Sequence, residues 1–414
     1  MKIAIIGNSY PPEFQGGTEL VMAAQAEELL ALGHSVQVVC GSDGGGEPAQ
    51  SVVRGVTVQR IPREPADSIS SEWCRERIVA LVEEATQDCD LLHLHHWSSL
   101  SGDLVRRLSR RVPVVVTLHD HYASCPRFFR SPIAGVSCPE GQPDQSCTRC
   151  VAPFFGAQPA DLEDRLMERW RDFRAELLAA SAVICPSENL RSSLARELEM
   201  NASHWSVVPH GLCRDVQRVD RIEPHDKKLT VISFGNRAKV KGTLLLVRAM
   251  SALPEGSVRL ILTGEEVEPG YDAYLRDVAG GLELEIHGTY DERSLAKLCA
   301  RADLAAFPSD ASESYGLVVE EALALGLPTW VSDRGALGEV LRSYAASGEL
   351  PGAILPAAQV ERWTHALLSL VDSPAKLQDA RARVPKIIRG PSEASRAIEA
   401  IYTKLVSRQP LFKS

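Results

Sequence analysis

Long hydrophobic runs are missing from this chain of 414 residues. No stretch approaches the ~18 consecutive apolar residues that a membrane-spanning helix needs, so no transmembrane segment is expected. The apolar start Met1-Lys-Ile-Ala-Ile-Ile-Gly7 is too short for a signal-peptide core and reads as a first buried strand. An excess of positive charge is also missing. Lys and Arg number 45 against 54 Asp and Glu, a net charge of −9, which argues against a nucleic-acid partner and against strong attraction to anionic lipid. There is no short-period repeat and no long low-complexity tract. Ten cysteines in a chain this long do not make a disulfide scaffold. Six of them (Cys40, Cys74, Cys89, Cys185, Cys213, Cys299) lie in or near apolar runs and read as buried hydrophobes. The expected location is cytoplasmic, with at most peripheral attachment at the inner membrane face.

What is present is alternation. Strands are expected at Lys2–Gly7, Ser35–Cys40, Val52–Ile61, Leu91–His95, Val114–His119, Val183–Pro186 and Ser206–Val208, with helices at Thr18–Leu32 and Trp73–Ala85. The pattern restarts with strands Leu229–Phe234, Arg259–Thr263, Leu284–Gly288, Leu304–Phe307 and Thr329–Val331, and helices Thr243–Leu253 and Leu317–Leu325. Continuous Val/Ile/Leu runs joined by helices indicate parallel sheets covered on both faces. The expected division is an N-terminal domain over 1–212, with a Cys-rich insertion at 121–155, and a polar linker over 213–228. A second domain then spans 229–390, and a C-terminal helical stretch (391–414) packs back on the first.

The segment Glu313-Ser-Tyr-Gly-Leu-Val-Val-Glu-Glu321 carries the most chemistry. It reads as a loop bearing Glu313 and a helix starting near Gly316. The free N–H groups of a helix N-terminus suit phosphate oxygens, and a carboxylate one to two turns along suits sugar hydroxyls. Together these describe a nucleotide-sugar site; the plainer reading is an amphipathic helix with solvated glutamates. Other segments share that ambiguity: the Gly16-Gly17 loop after the first strand, His119 at a strand end, Gly235-Asn-Arg-Ala-Lys-Val-Lys-Gly242, Gly264 and Tyr290.

With its context, the glutamate pair resembles the Glu-x7-Glu signature of retaining glycosyltransferases of the GT-B fold, family 4. The resemblance runs in order from Met1 to about residue 340. It implies an α/β GT-B protein: two doubly wound Rossmann-like domains with an interdomain cleft. It implies transfer of a sugar from a nucleoside diphosphate sugar to an acceptor hydroxyl with retention, by front-face displacement, in polysaccharide, glycolipid or natural-product biosynthesis. The partners are then a nucleotide-sugar donor and a sugar, lipid-linked or small-molecule acceptor. No cofactor is expected for catalysis, so Asp88-Cys-Asp90 is read as a turn and not as a metal motif.

Residue by residue, the resemblance places Gly16 and Gly17 facing the donor diphosphate and acceptor, and His119 at the donor sugar. His95 and His96 are secondary candidates for acceptor contacts. Lys241 matches the family lysine that holds leaving-group charge. Asn236 stands where the family has arginine, so Arg237, one residue late, is the candidate to replace it, or Asn236 itself donates a neutral hydrogen bond. Gly235, Gly264 and Tyr290 flank the nucleotide. Glu313 reads donor-sugar hydroxyls, Gly316, Leu317 and Val318 offer N–H groups to the distal phosphate, and Glu321 reads the ribose. Glu320 is expected to be structural. An epimerase or phosphorylase is a lesser alternative within the fold. The alternative of another class is a catalytically weak GT-B protein that binds a nucleotide sugar or a partner.

Cys125, Cys138, Cys147 and Cys150 fall within 26 residues, at spacings x12, x8 and x2. A terminal Cys-x2-Cys with two upstream cysteines has metal-ligand character. Structural zinc stapling a loop poor in apolar surface is the expectation, an iron–sulfur cluster the alternative, and four unconnected thiols the plain reading.

Overall fold

The structure is a computed structural model and describes residues 1–14, 16–43, 46–63, 75–97, 99–222 and 228–407. The chain divides into two compact units. One combines Met1–Cys213 with Gly390–Ser414; the other is Arg214–Arg389.

The first unit is built on an eight-stranded sheet: β1 (Lys2–Gly7), β2 (Ser35–Ser42), β3 (Ala49–Val53), β4 (Val56–Pro62), β5 (Leu91–Leu94), β6 (Val114–Thr117), β7 (Ala182–Cys185) and β8 (Ser206–Val207), in the order β3-β4-β2-β1-β5-β6-β7-β8. Every pairing is parallel except β3 with β4. The single strand expected over Val52–Ile61 is therefore an antiparallel hairpin. It turns at Arg54-Gly55, both at positive φ (48° and 82°), and that Arg-Gly pair between β-branched runs was the available signal. Ile3, Ile5 and Ile6 of β1 and all of β5 and β6 are buried, which is why these strands read as unbroken apolar runs. The Gly17–Ala31 helix stops at Leu32-Gly33, where glycine takes a φ of 88°. Of the expected helix Trp73–Ala85, Glu76–Ala85 is helical, while Trp73 and Cys74 lie outside the described residues.

The helix Pro391–Val406 belongs to this first unit. Ala394, Ile398 and Tyr402, four residues apart, form one buried face. The Tyr402 hydroxyl accepts from Gln25 Nε2 at 2.8 Å and also bonds His93 Nδ1 inside the unit, while His34 pairs with Glu399 at 2.9 Å.

The second unit carries β9 (Leu229–Phe234), β10 (Val258–Thr263), β11 (Glu283–His287), β12 (Leu304–Phe307), β13 (Thr329–Ser332) and β14 (Gly352–Leu355), all parallel, in the order β11-β10-β9-β12-β13-β14. The chain winds outward from β9 through β10 and β11, then returns to β12 on the other side. At that reversal the chain leaves β9 and β12 for opposite sides of the sheet, and the carboxyl ends of such strands are where open α/β sheets take ligands. The first sheet has the same reversal between β1 and β5. The stretch read as a linker is no free tether where it is described. Val219 N–H donates to Leu325 O, Ile222 N–H to Ala300 O, and Arg221 pairs with Asp303. Among the described residues no helix is long and apolar enough to cross a membrane.

Candidate functional site

The loops after β9 and β12 lock onto each other. Asp310 and Ala311 N–H groups donate to Val240 O at 2.8 and 3.0 Å. Gly242, at φ 74°, sits so close to Pro308 that a methyl group there would overlap the Pro308 carbonyl. This brings Lys241 to Glu313, with Nζ 2.8 Å from Oε1, and the Ser309 hydroxyl donates to the same oxygen at 2.8 Å. Lys241 is 31% exposed and Glu313 15%, so the pair lines an accessible surface. The Glu313 backbone is fixed from below: Ala336 N–H donates to Glu313 O at 2.7 Å, and Gly335, at φ 59°, packs against the Glu313 N and O atoms.

Beside the pair, Gly316 (φ 102°) caps the helix Leu317–Ala324, whose first N–H groups, those of Leu317 and Val318, have no acceptor within the helix. Val318 Cγ1 lies 3.6 Å from where a Cβ on Gly235 would stand, so the glycine that ends β9 abuts this helix start. One turn on, Glu321 is 4% exposed. Burial pushes its carboxyl up to about 7 against the pull of Arg214, whose Nε lies 3.0 Å away. Glu320 is fully buried, its Oε1 accepting from the Tyr315 and Tyr344 hydroxyls at 2.8 and 2.6 Å.

Arg237 turns inward. It is 4% exposed, its Nε and Nη2 donate to Asp272 at 2.7 and 2.6 Å, and Nη1 donates to the Gly264 and His287 carbonyls at 2.6 and 2.8 Å. A guanidinium so engaged ties three loops together and is not offered to a ligand, which corrects its expected place in the catalytic set. Asn236 is the exposed member of that dipeptide. Gly264 takes a φ of 138° and sits against the Gly235 carbonyl with no room for a side chain. Tyr290 packs edge-on to Phe234 at 6.0 Å.

The first unit gathers histidines at the carboxyl ends of its strands. His119 Nε2 is 2.8 Å from His95 Nδ1, and its ring stacks on His210 at 5.0 Å. Burial holds both His95 and His119 well below the usual imidazole range, with neighbouring imidazoles adding to it, so both are neutral at pH 7. His96 hydrogen-bonds Asn8. His95, His96, His119, Asp120 and Tyr122 line a small, half-open pocket. Gly16 caps the Gly17–Ala31 helix, and its N–H donates to Glu19 Oε2 at 3.1 Å.

Cys147 and Cys150 stand one turn apart on the helix Gln145–Phe155, capped by Asp144. Cys125 and Cys138 lie on the preceding irregular loop, and all four thiols are free. Arg127 Nη1 donates to Cys150 Sγ at 3.0 Å. Among the described residues no three His, Cys, Asp or Glu side chains are grouped to hold a metal ion.

Four residues of these sites escaped the sequence reading. Gly335, His210 and Arg214 are distant in sequence from what they touch, while Ser309 lies four residues before Glu313, where a serine in a loop carries no distinctive pattern. Only Gly335, a glycine just past a strand, carried even a weak signal.

Comparison with known proteins bears on both units. Family models described as "Glycosyltransferase Family 4" and "Glycosyl transferases group 1" match residues 15–215 and 215–386. The D-inositol 3-phosphate glycosyltransferase of Rhodococcus opacus is 25% identical over 405 residues, covering 90% of this chain and 81% of that protein. That of Mycobacteroides abscessus is 26% identical over 383 residues, covering 86% and 77%. Among solved structures, sucrose-phosphate synthase from Thermosynechococcus elongatus superposes with a TM-score of 0.70 at 18% identity, over 99% of this chain and 100% of that one. Anabaena HepE in complex with UDP and glucose gives 0.64 at 18%, over 98% and 100%. The two family models divide the chain where the structure divides it, and with the fold they identify the chain as a glycosyltransferase of the GT-B fold, family 4.

Proposed function

We propose that this glycosyltransferase takes its sugar from a nucleoside diphosphate sugar held by the second unit and transfers it to an acceptor hydroxyl with retention of configuration. The observation that carries this reading is the cluster at the β9/β12 reversal: Lys241, Glu313 and Ser309 beside the N-terminus of the helix bearing Glu321. A diphosphate at the helix start meets N–H donors and the Lys241 ammonium. Glu313 and Glu321 then stand where sugar and ribose hydroxyls need acceptors. In the proposed step the bond from the anomeric carbon to the phosphate oxygen breaks, and the bond to the acceptor oxygen forms on the same face. The acceptor proton passes to the departing phosphate, so no protein base is required. The charge that develops on the diphosphate is met by Lys241 and the helix N-terminus. The role proposed for His119, a contact to the transferred sugar, rests on the family resemblance and on its place at the end of β6.

HepE binds UDP, and a starch synthase with the same fold binds ADP; the relatives named above act on D-inositol 3-phosphate. A uridine or adenosine diphosphate donor and a phosphorylated cyclitol are therefore the first compounds to try. Polysaccharide, glycolipid and natural-product biosynthesis all accommodate such a step. A cytoplasmic enzyme, at most peripherally attached to the inner membrane face, completes the proposal.

Calorimetric titration with UDP, GDP, ADP and TDP tests it. One nucleotide should bind in the micromolar range, and Glu321→Ala should weaken it by roughly 10- to 100-fold, the worth of hydrogen bonds to a charged group. Binding of none of the four would remove the donor reading; binding without turnover on any acceptor would favour the catalytically weak alternative.

The four cysteines carry a separate proposal: structural zinc, with an iron–sulfur cluster as the competing occupant. Uptake would have to draw Cys125 and Cys138 toward the helix that holds Cys147 and Cys150. Purified protein should contain about one zinc per chain, as one four-thiolate site requires, and Cys147→Ser should lose it. Metal-free protein whose melting temperature ignores a chelator would dispose of the idea, and absorption in the visible would replace zinc by iron.

A further inference from the structure

Arg214 is the first residue of the second unit and lies in a segment with neither helix nor strand. Its guanidinium reaches three separate elements. Nε is 3.0 Å from Glu321 Oε1 on the helix Leu317–Ala324. Nη1 is 3.4 Å from Glu292 Oε1 at the start of the helix Glu292–Cys299. Its central carbon is 5.4 Å from the ring centroid of Tyr290, in the turn after β11. The side chain is 14% exposed and Glu321 5%, so the charges meet where water screens them weakly.

We infer that Arg214 is a positioning residue for the nucleoside end of the donor site, holding the Glu321 carboxyl in place and favouring its charged form so that it can accept the ribose hydroxyls. The inference rests on the donor reading above and adds a residue to it. Two observations favour it over a purely structural ion pair. First, Arg214 meets the carboxylate at Nε, by charge and a poorly aligned hydrogen bond, and among the described residues no other side chain donates to Glu321, so acceptor positions of the carboxylate are left for a ligand. Second, among the described residues Arg214 is the only cation paired with the Glu321 side chain. A structural buried carboxylate is normally saturated with donors, as Glu176 is here by Arg106 and the Val105 N–H.

The groups facing Glu321 are few. Arg214 pulls its carboxyl down, while Glu292 and Glu320 push it up along with burial. Tyr290 and Cys299 complete the surroundings, and the Glu321 charge raises both of them further above their ordinary ranges. Burial outweighs the pull of Arg214 and pushes the carboxyl up to about 7. Loss of the arginine charge removes the only pull toward ionisation, so the midpoint moves up. Hydroxyl donors prefer the ionised acceptor; nucleotide affinity should therefore rise with pH through that midpoint in the native protein and through a higher one in the variant.

The experiment is a calorimetric titration of the full chain with UDP, GDP, ADP and TDP between pH 6 and about 9, on native protein, Arg214→Gln, Arg214→Lys and Glu321→Gln. A midpoint raised by about one unit lowers the ionised fraction at pH 7 roughly fivefold and leaves it nearly unchanged at pH ~9. Arg214→Gln should show that deficit at neutral pH and its closure in alkali. Arg214→Lys, which keeps the charge, should recover much of the affinity. Glu321→Gln should lose the component of the pH dependence that separates native protein from Arg214→Gln. A deficit in Arg214→Gln that is equal at every pH, or no deficit at all, overturns the inference while leaving the donor reading intact. Failure of the native protein to bind any of the four nucleotides takes both down together. Should Arg214→Gln not fold, Arg214→Met takes its place: a deficit at neutral pH that closes in alkali supports the inference, and native affinity or an equal loss at every pH ends it.

Discussion

Lys241→Ala should lower the turnover of sugar transfer by roughly 10²- to 10³-fold, the usual loss when one preorganised donor to a developing charge is removed. The nucleotide should still bind, because the helix N-terminus at Gly316 and the Glu321 carboxylate are untouched. The ammonium is the one cation at hydrogen-bond distance from Glu313 among the described residues, at 2.8 Å, and Arg237, its expected companion, is spent on Asp272 and two carbonyls. Little stability should be lost, since Lys241 is 31% exposed and such pairs contribute little in water. Steady-state kinetics with a working donor and acceptor, set beside calorimetry of the bare nucleotide, separate the two effects. An unchanged turnover number in Lys241→Ala would remove this lysine from the chemistry.

Gly335→Ala is the second large effect expected, from a residue that need touch no ligand. Its φ of 59° already disfavours any side chain, and the added methyl would overlap the backbone nitrogen and oxygen of Glu313. Those atoms are main chain and cannot swing aside. The segment carrying Glu313 must shift, and with it the carboxylate that holds Lys241. A displacement of about 1 Å at a reacting centre is worth roughly 10²-fold in kcat/KM. The strained backbone adds a loss of roughly 1–3 kcal/mol in stability. The protein should remain folded at 25 °C by circular dichroism, with a lower melting temperature. Native kinetics in Gly335→Ala would mean that Glu313 is not held by this contact.

The elements legible in the sequence were those whose signal is local. Buried parallel strands such as Lys2–Gly7 and Leu229–Phe234 announce themselves as unbroken apolar runs, because both faces are covered. The helix after Gly316 and the spacing of Glu313 and Glu321 are set within nine residues. The direction of Arg237 was not legible: it is decided by Asp272, on another helix 35 positions away. Gly335 and Arg214 were invisible for the same reason, since each matters through a partner brought near by the fold and not by the chain. The cysteine cluster shows the opposite limit. Its composition and spacing are plain in the sequence, and the thiols lie within electrostatic reach of one another, yet among the described residues no three ligands are grouped around one point.

The return of the chain to its first unit sets an order of events at the ribosome. Tyr402 bonds Gln25 and His93 inside a sheet whose strands are all made by residue 207. At about 5–20 residues per second, roughly 10–40 s of translation separate residue 213 from residue 402. Throughout that interval the later half is synthesised as one uninterrupted piece, with every strand it needs. The half begun first is therefore the half completed last, and for that time the Gly17–Ala31 helix lacks the C-terminal helix that packs against it in the finished protein.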